Sequence, residues 1–208
     1  MNIAVKPFPA CHFVHAFADA GCRYLQLDEV NFAYLCDAKL REQVAQRGED
    51  PSKLPAVYAG LMNAAIADIP PDMTITTHVC RGNFRSTFVA SGGYEPIAER
   101  LFNKVAADVY FLEYDTERAG GFEPLRHLPK GKFAVLGIMS TKLKELEAVD
   151  EMARKVDAAA RFAPKENLCL SPQCGFASNF MGNPVTLDDE KRKLSLVVET
   201  AKEVWGTV

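Results

Sequence analysis

The 208-residue sequence has no apolar run long enough to span a bilayer, so no transmembrane helix is expected. Its first residues, Met1-Asn2-Ile3-Ala4-Val5-Lys6-Pro7-Phe8-Pro9, lack the basic start and long apolar stretch of a secretion signal, and a cytoplasmic location is expected. Charge of either sign is scarce in excess: 24 Lys and Arg against 27 Asp and Glu leave a net charge of -3. With a pI near 5.8, that gives no footprint for nucleic acid. No G-x-G-x-x-G follows the first expected strand, which removes support for a dinucleotide fold. Internal repeats and low-complexity segments are also missing. What remains is an ordinary soluble composition, 48% apolar and 25% charged, long enough to bury a full core in one domain, or at most two. The six cysteines (Cys11, Cys22, Cys36, Cys80, Cys169, Cys174) then read as thiols or ligands rather than as a disulfide framework.

Local patterns predict alternating helices and strands. Ala10 to Ala20 reads as a helix closed by Gly21, and Arg23 to Glu29 as a strand. A helix capped by Asp37 runs to Gln46, and another from Leu54 to Ala67 stops at Pro70-Pro71. Met73 to Val79 is a strand, Tyr94 to Ala107 a helix, and Asp108 to Tyr114 a strand with an apolar run that predicts burial on both faces. Arg118 to Pro129 is irregular. Phe133 to Ile138 and Leu168 to Leu170 are strands, and Lys142 to Ala160 and Leu187 to Val204 are helices, the last with acidic residues in its first turn.

This alternation implies an α/β protein with about five parallel strands. A flavodoxin-like open sheet and part of a (β/α)8 TIM barrel both fit the count. Polar residues gather at the C-terminal strand ends: Asp28 and Glu29, His78 and Cys80, Glu113, Ser140, Cys174. That is the catalytic face of a barrel, whereas an open sheet binds mostly at one switch point, so the barrel is favoured.

His78 and Cys80 lie two apart at a strand end, so both point to one side, and nitrogen plus sulfur is a zinc-type pair. Alone, H-x-C is a weak signal. Glu113 and Cys174, at the ends of two other strands, complete an N, S, O, S set that suits tetrahedral zinc. Spacings of 2, 33 and 61 residues fit no finger or ribbon and imply a site assembled by tertiary structure. The plain alternatives are a buried thiol at Cys174 and a strand-end ion pair at Glu113.

The same stretches resemble the C-terminal catalytic domain of cobalamin-independent methionine synthases, and more closely its short single-domain relatives. Tyr24-Leu25-Gln26-Leu27-Asp28-Glu29 is similar to the family's Q-x-D-E strand end. His78-Val79-Cys80-Arg81-Gly82-Asn83-Phe84 is similar to its H-x-C-x-x-N-F, and Asn167 to Gly175, ending Ser171-Pro172-Gln173-Cys174-Gly175, to its N-P-D-C-G. The strand ending in Glu113 also matches. The resemblance covers roughly residues 20–208.

It implies a (β/α)8 barrel, of which this chain is expected to hold the C-terminal five or so β/α units. It implies zinc on His78, Cys80, Glu113 and Cys174, with Asp28, Glu29 and Asn83 at the substrate. The implied reaction moves a methyl group from 5-methyltetrahydrofolate, as its polyglutamate, to homocysteine, giving methionine. Zinc suits this, because a free thiol is mostly protonated at neutral pH and coordination deprotonates it. Methyl transfer from a corrinoid or another donor is the alternative, as is an incomplete barrel that binds zinc without turnover. Self-association or a complementing chain is the expected partner.

The chain departs from the family's Asp-Ile-His-Ser-Pro stretch, whose histidine is thought to relay a proton: here it reads Gly137-Ile138-Met139-Ser140-Thr141. Asp28 and Glu29 read as an amine anchor rather than an acid/base pair. Arg81, Arg85 and Arg118 read as solvated charges, with contact to an anionic donor tail as the sharper alternative. His12 and His15, near Cys11, read as surface or interface residues, Trp205 as a core or docking residue, and Cys22, Cys36 and Cys169 as buried thiols.

Overall fold

Alternating side chains make each strand two-faced, and here one face is oily and the other mixed. The structure, a computed structural model, describes residues 10–177 and 179–207, without the side chains of Ala10 and Cys11. The stretch read for a secretion signal and the Cys11 thiol therefore lie outside the described residues. Five strands, β1 (Tyr24–Glu29), β2 (Thr74–Val79), β3 (Val109–Glu113), β4 (Phe133–Met139) and β5 (Leu168–Pro172), form one sheet. All pairs are parallel and their order is β1-β2-β3-β4-β5. A flavodoxin-type sheet reverses its winding at a switch point, whereas a barrel adds each strand beside the last. The sequential order therefore decides for the barrel type.

Leu25 and Leu27, Ile75 and Val79, Tyr110 and Leu112, Ala134, Leu136 and Ile138, and Leu168 and Leu170 share one sheet face and join the core. Covering them are α4 (Leu54–Ala65), α5 (Ala98–Lys104), α6 (Val149–Ala159) and α7 (Leu187–Trp205), through Met62, Leu101, Phe102, Met152, Val156 and Leu196. The Phe102 and Tyr110 rings meet edge-on at 5.0 Å. Each such large buried side chain contributes roughly 1.5–3 kcal/mol. The opposite face carries Gln26, Asp28, Thr76, His78, Phe111 and Glu113. Phe111 is only half-buried while Glu113 on the same face is fully buried, so the burial expected on both faces of β3 holds in part. The reason is that Phe111 opens onto a cavity rather than onto more protein.

Local signals held where side chains met their own backbone. Asp37 accepts from the Lys39 and Leu40 N–H groups and starts α3 (Ala38–Gln46). Thr186 and Asp189 form a reciprocal capping box on α7. Gly21, at φ +93°, follows α1 (Ala10–Asp19). They failed where tertiary contacts took residues away. Tyr94 is buried ahead of α5 rather than in it, its hydroxyl donating to the Val79 carbonyl at 3.2 Å. Residues 142–148 are loop instead of helix: the Glu147 carboxylate accepts from Ser140 N–H and from the Lys193 ammonium. A short α2 (Asn31–Tyr34) appears where none was expected, with Asn31 N–H donating to Glu29 at 2.6 Å.

One glycine is needed at the site end of β4. A Cβ on Gly137 would lie 2.7 Å from Gln173 Cα and 2.8 Å from the Leu112 carbonyl oxygen, both backbone atoms that cannot swing away. Gly137→Ala is expected to lower the unfolding free energy by about 1–3 kcal/mol in a denaturant titration.

Candidate metal centre

His78 projects from β2 onto the concave face, Cys80 follows the strand end, and Cys174 lies just beyond β5. The curl of the sheet brings these ends together although β3 and β4 separate them. One ligand atom from each of His78, Cys80 and Cys174 lies within 4.8 Å of the others. The Cys80 and Cys174 sulfurs are 3.9 Å apart. Two sulfurs on a tetrahedral zinc, at Zn–S of about 2.3 Å, sit about 3.8 Å apart. His78 Nε2 is buried with no hydrogen-bond partner among the described residues. An orphaned imidazole nitrogen beside two thiols fits zinc in donor chemistry and spacing.

The loop after β2 is shaped for this. Gly82 adopts φ +98°, and a Cβ there would press on Val89 side chain and backbone at 3.1 Å. The turn aims the Gly82 N–H at Cys80 Sγ, 3.2 Å away. Burial pushes the His78 pKa down, but the Cys174 contact and the charges of Asp28 and Glu113 outweigh it and raise it overall. Cys80 is pushed up by the facing Cys174 sulfur and by burial, against the Gly82 N–H. Two sulfurs this close do not both carry charge unless a cation lies between them.

Glu113 is not gathered into this three-residue group. Its wholly buried carboxylate accepts from Arg81 N–H at 3.0 Å and from Arg118, with the Lys142 ammonium at 3.5 Å. Arg81 is a correction to the sequence reading. It is neither solvated nor free for an anionic ligand but fully buried. It donates to the Gly92 and Glu113 carbonyls at 2.7 and 3.0 Å and to the Tyr94 hydroxyl at 2.8 Å, and it packs 4.1 Å from that ring's centre. Full pairing makes its burial tolerable. Arg118 is likewise engaged, bridging Glu113 and Asp115 and stacking on Phe88. Arg85 is exposed, as expected.

Of the residues expected at a substrate, Asp28 pairs in register with His78 and lines a cavity of about 460 Å³. Glu29 points to the other face and accepts from the Asn31 N–H at the start of α2. Asn83 ties two loops together, its Nδ2 donating to the Gly175 carbonyl at 2.9 Å. Cavity residues that the sequence reading passed over are Gln26, Phe111, Ser171 and Gln173. Period-2 spacing from Asp28 and Glu113 was the available signal for Gln26 and Phe111, and adjacency to Cys174 for Gln173. Elsewhere, Cys36 is buried but Cys22 and Cys169 only half so. His15 Nε2 hydrogen-bonds the Ala67 carbonyl at 3.0 Å, and Trp205 docks by donating to the Lys165 carbonyl.

The model of the family described as "cobalamin-independent synthase, catalytic domain" matches residues 11–203. The chain belongs to this family. Uncharacterized protein YxjH of Bacillus subtilis (strain 168) is 48% identical over 193 residues, which are 92% of this chain and 51% of that protein. The chain thus spans about half the length of the curated relatives it matches. Among solved family structures, one from Listeria monocytogenes, provisionally assigned as a vitamin-B12-independent methionine synthase, is 35% identical with a TM-score of 0.70. The match covers 95% of this chain and 53% of that one. A B12-independent methionine synthase from Shewanella sp. W3-18-1, solved with selenomethionine, shares the fold at 18% identity and TM-score 0.68, covering 94% of this chain and 52% of its own. No helix among the described residues is long and apolar enough to cross a membrane.

Behind the centre, burial pushes the Cys36 thiol up to about 12, with the Arg81 and Arg41 charges opposing. The folded state then keeps a proton that the unfolded chain releases above about pH 9. This contribution to stability is full below that range and lost as pH rises towards 12. Unfolding free energy measured across that window is expected to fall, with a shallower slope in Cys36→Ala.

Proposed function

We propose that the chain is the metal-bearing part of a zinc-dependent methyltransferase acting on a thiol, with homocysteine as acceptor and a methylated folate as donor, giving methionine. The observation that carries this reading is the convergence of His78, Cys80 and Cys174, with His78 and Cys174 on the wall of the Asp28 cavity. Family membership supports the class of reaction. We assign Glu113 as the fourth donor, because it ends the strand next to β2 and its carboxylate accepts from the N–H of Arg81, the residue after Cys80. A zinc ion held by this set would supply the positive charge that keeps an acceptor thiol deprotonated near neutral pH.

The chain's own residues do the rest. Asp28, exposed on the cavity wall, faces the amino group of the acceptor. Arg118 and Lys142 hold the Glu113 carboxylate in place. Asn83 keeps the two cysteine-bearing loops in register. In the overall change, a sulfur–methyl bond forms, the donor–methyl bond breaks, and the thiol proton ends on the released folate nitrogen. Met139 is fully buried and carries no proton. This favours, as the second reading, a methyl-corrinoid donor, whose leaving group needs no protonation. Reactants of either kind suit the cytoplasm.

Among the described residues β1 and β5 are the edge strands of the sheet, and an unpaired edge seeks a partner, which supports association. Light scattering on the isolated chain is expected to give a mass above the 22.9 kDa of one copy, and a strictly monomeric solution would remove that part. For the metal, about one zinc per chain is expected on elemental analysis, with Cys174→Ser losing most of it. Full retention in that variant would take Cys174 out of the ligand set. Methionine formation with methyl-folate against methylcobalamin then separates the two donors.

A further inference from the structure

Gln173 is the residue on the cavity wall with chemistry left to spend. It is 1% exposed and lines the cavity beside Cys174. Its amide orientation is set by the Thr141 backbone N–H, which can only donate, and which reaches Oε1 at 3.1 Å; the Thr141 hydroxyl donates to the same oxygen. The backbone is pinned as well, with Gln173 N–H donating to the Met139 carbonyl at 2.8 Å and Gly137 leaving room for nothing larger behind it. All of this leaves Nε2 as the amide's uncommitted group, buried with no partner among the described residues. A buried donor pair without an acceptor is rare in a folded protein and calls for one.

We infer that Gln173 is a specificity-determining residue, donating from Nε2 to the carboxylate of an amino-acid thiol bound in this cavity. The cavity's polar wall is divided to match. Asp28, on β1, offers a negative group to an ammonium, and Gln173, past the end of β5, offers N–H groups to a carboxylate. The two lie on opposite edge strands of the sheet, with His78 and Cys174 also on the wall. A zwitterionic amino acid with a thiol side chain presents the three groups this wall can meet. The inference rests on the thiol-acceptor reading above and adds which end of the acceptor is read, and by what.

The test is calorimetric binding of L-homocysteine and of 3-aminopropane-1-thiol, which lacks the carboxylate, to the zinc-loaded protein. Wild type is expected to prefer homocysteine by about tenfold or more, the worth of one charge-assisted hydrogen bond. Gln173→Leu is expected to lose about that factor for homocysteine while changing the amino-thiol less than twofold. Gln173→Glu keeps the acceptor for Thr141 but turns the donor into a negative charge, so it weakens homocysteine further and leaves the amino-thiol unharmed. It also serves if the leucine variant does not fold, with zinc content and melting temperature checked on each. Equal weakening of both thiols, or unchanged discrimination, overturns the role of Gln173 while leaving the acceptor reading in place. Zinc-loaded wild type that binds neither thiol overturns both.

Discussion

A carboxylate buried among cations holds the site end of this sheet together. Glu113, at the end of β3, receives Arg81 from the loop after β2, Arg118 from the loop after β3 and Lys142 from the loop after β4. One negative group thereby ties three successive strand ends. Charge pairs of this kind add little over a well-packed apolar core, but losing one partner strands the others without solvent and costs about 3–5 kcal/mol. The loops that place Cys80 and frame the cavity are thus bound to one centre. Arg81 carries the greatest share, since its side chain also fastens Gly92 and Tyr94 while its own N–H reaches Glu113.

The rest of the site follows from strand alternation. With the helix face of the sheet filled by leucine, isoleucine and tyrosine, the next residue along each strand faces inward, and those residues are Asp28, His78 and Phe111. Asp28 and His78 sit side by side because β1 and β2 pair in register there. The β5 end reaches Cys80 because the sheet is singly wound and curls; in a flat sheet, two intervening strands would hold the two sulfurs apart.

Much of this was legible in the chain, and the parts that were not share a cause. Asp37 and Thr186 announce helix starts because a short polar side chain bonds its own neighbouring backbone, a contact no distant residue alters. His78, Cys80 and Cys174 were legible because strand ends in a wound sheet share an edge. Arg81 was misread because nothing near it in sequence shows that Tyr94 and the Gly92 carbonyl would swaddle a guanidinium. Residues 142–148 have a helical composition, yet Lys142 and Glu147 are claimed by Glu113 and Lys193 from other elements. Thr141 and Gln173 lie in two of the quoted motif stretches, and only the fold shows that those stretches meet through a hydrogen bond.

The N–H that Gly82 directs at Cys80 has a further effect. A sulfur that already accepts a hydrogen bond is poorer in available electrons, and sulfur nucleophilicity falls with basicity. The left-handed glycine turn therefore lowers the nucleophilicity of Cys80 itself, and the two facing sulfurs are chemically unlike.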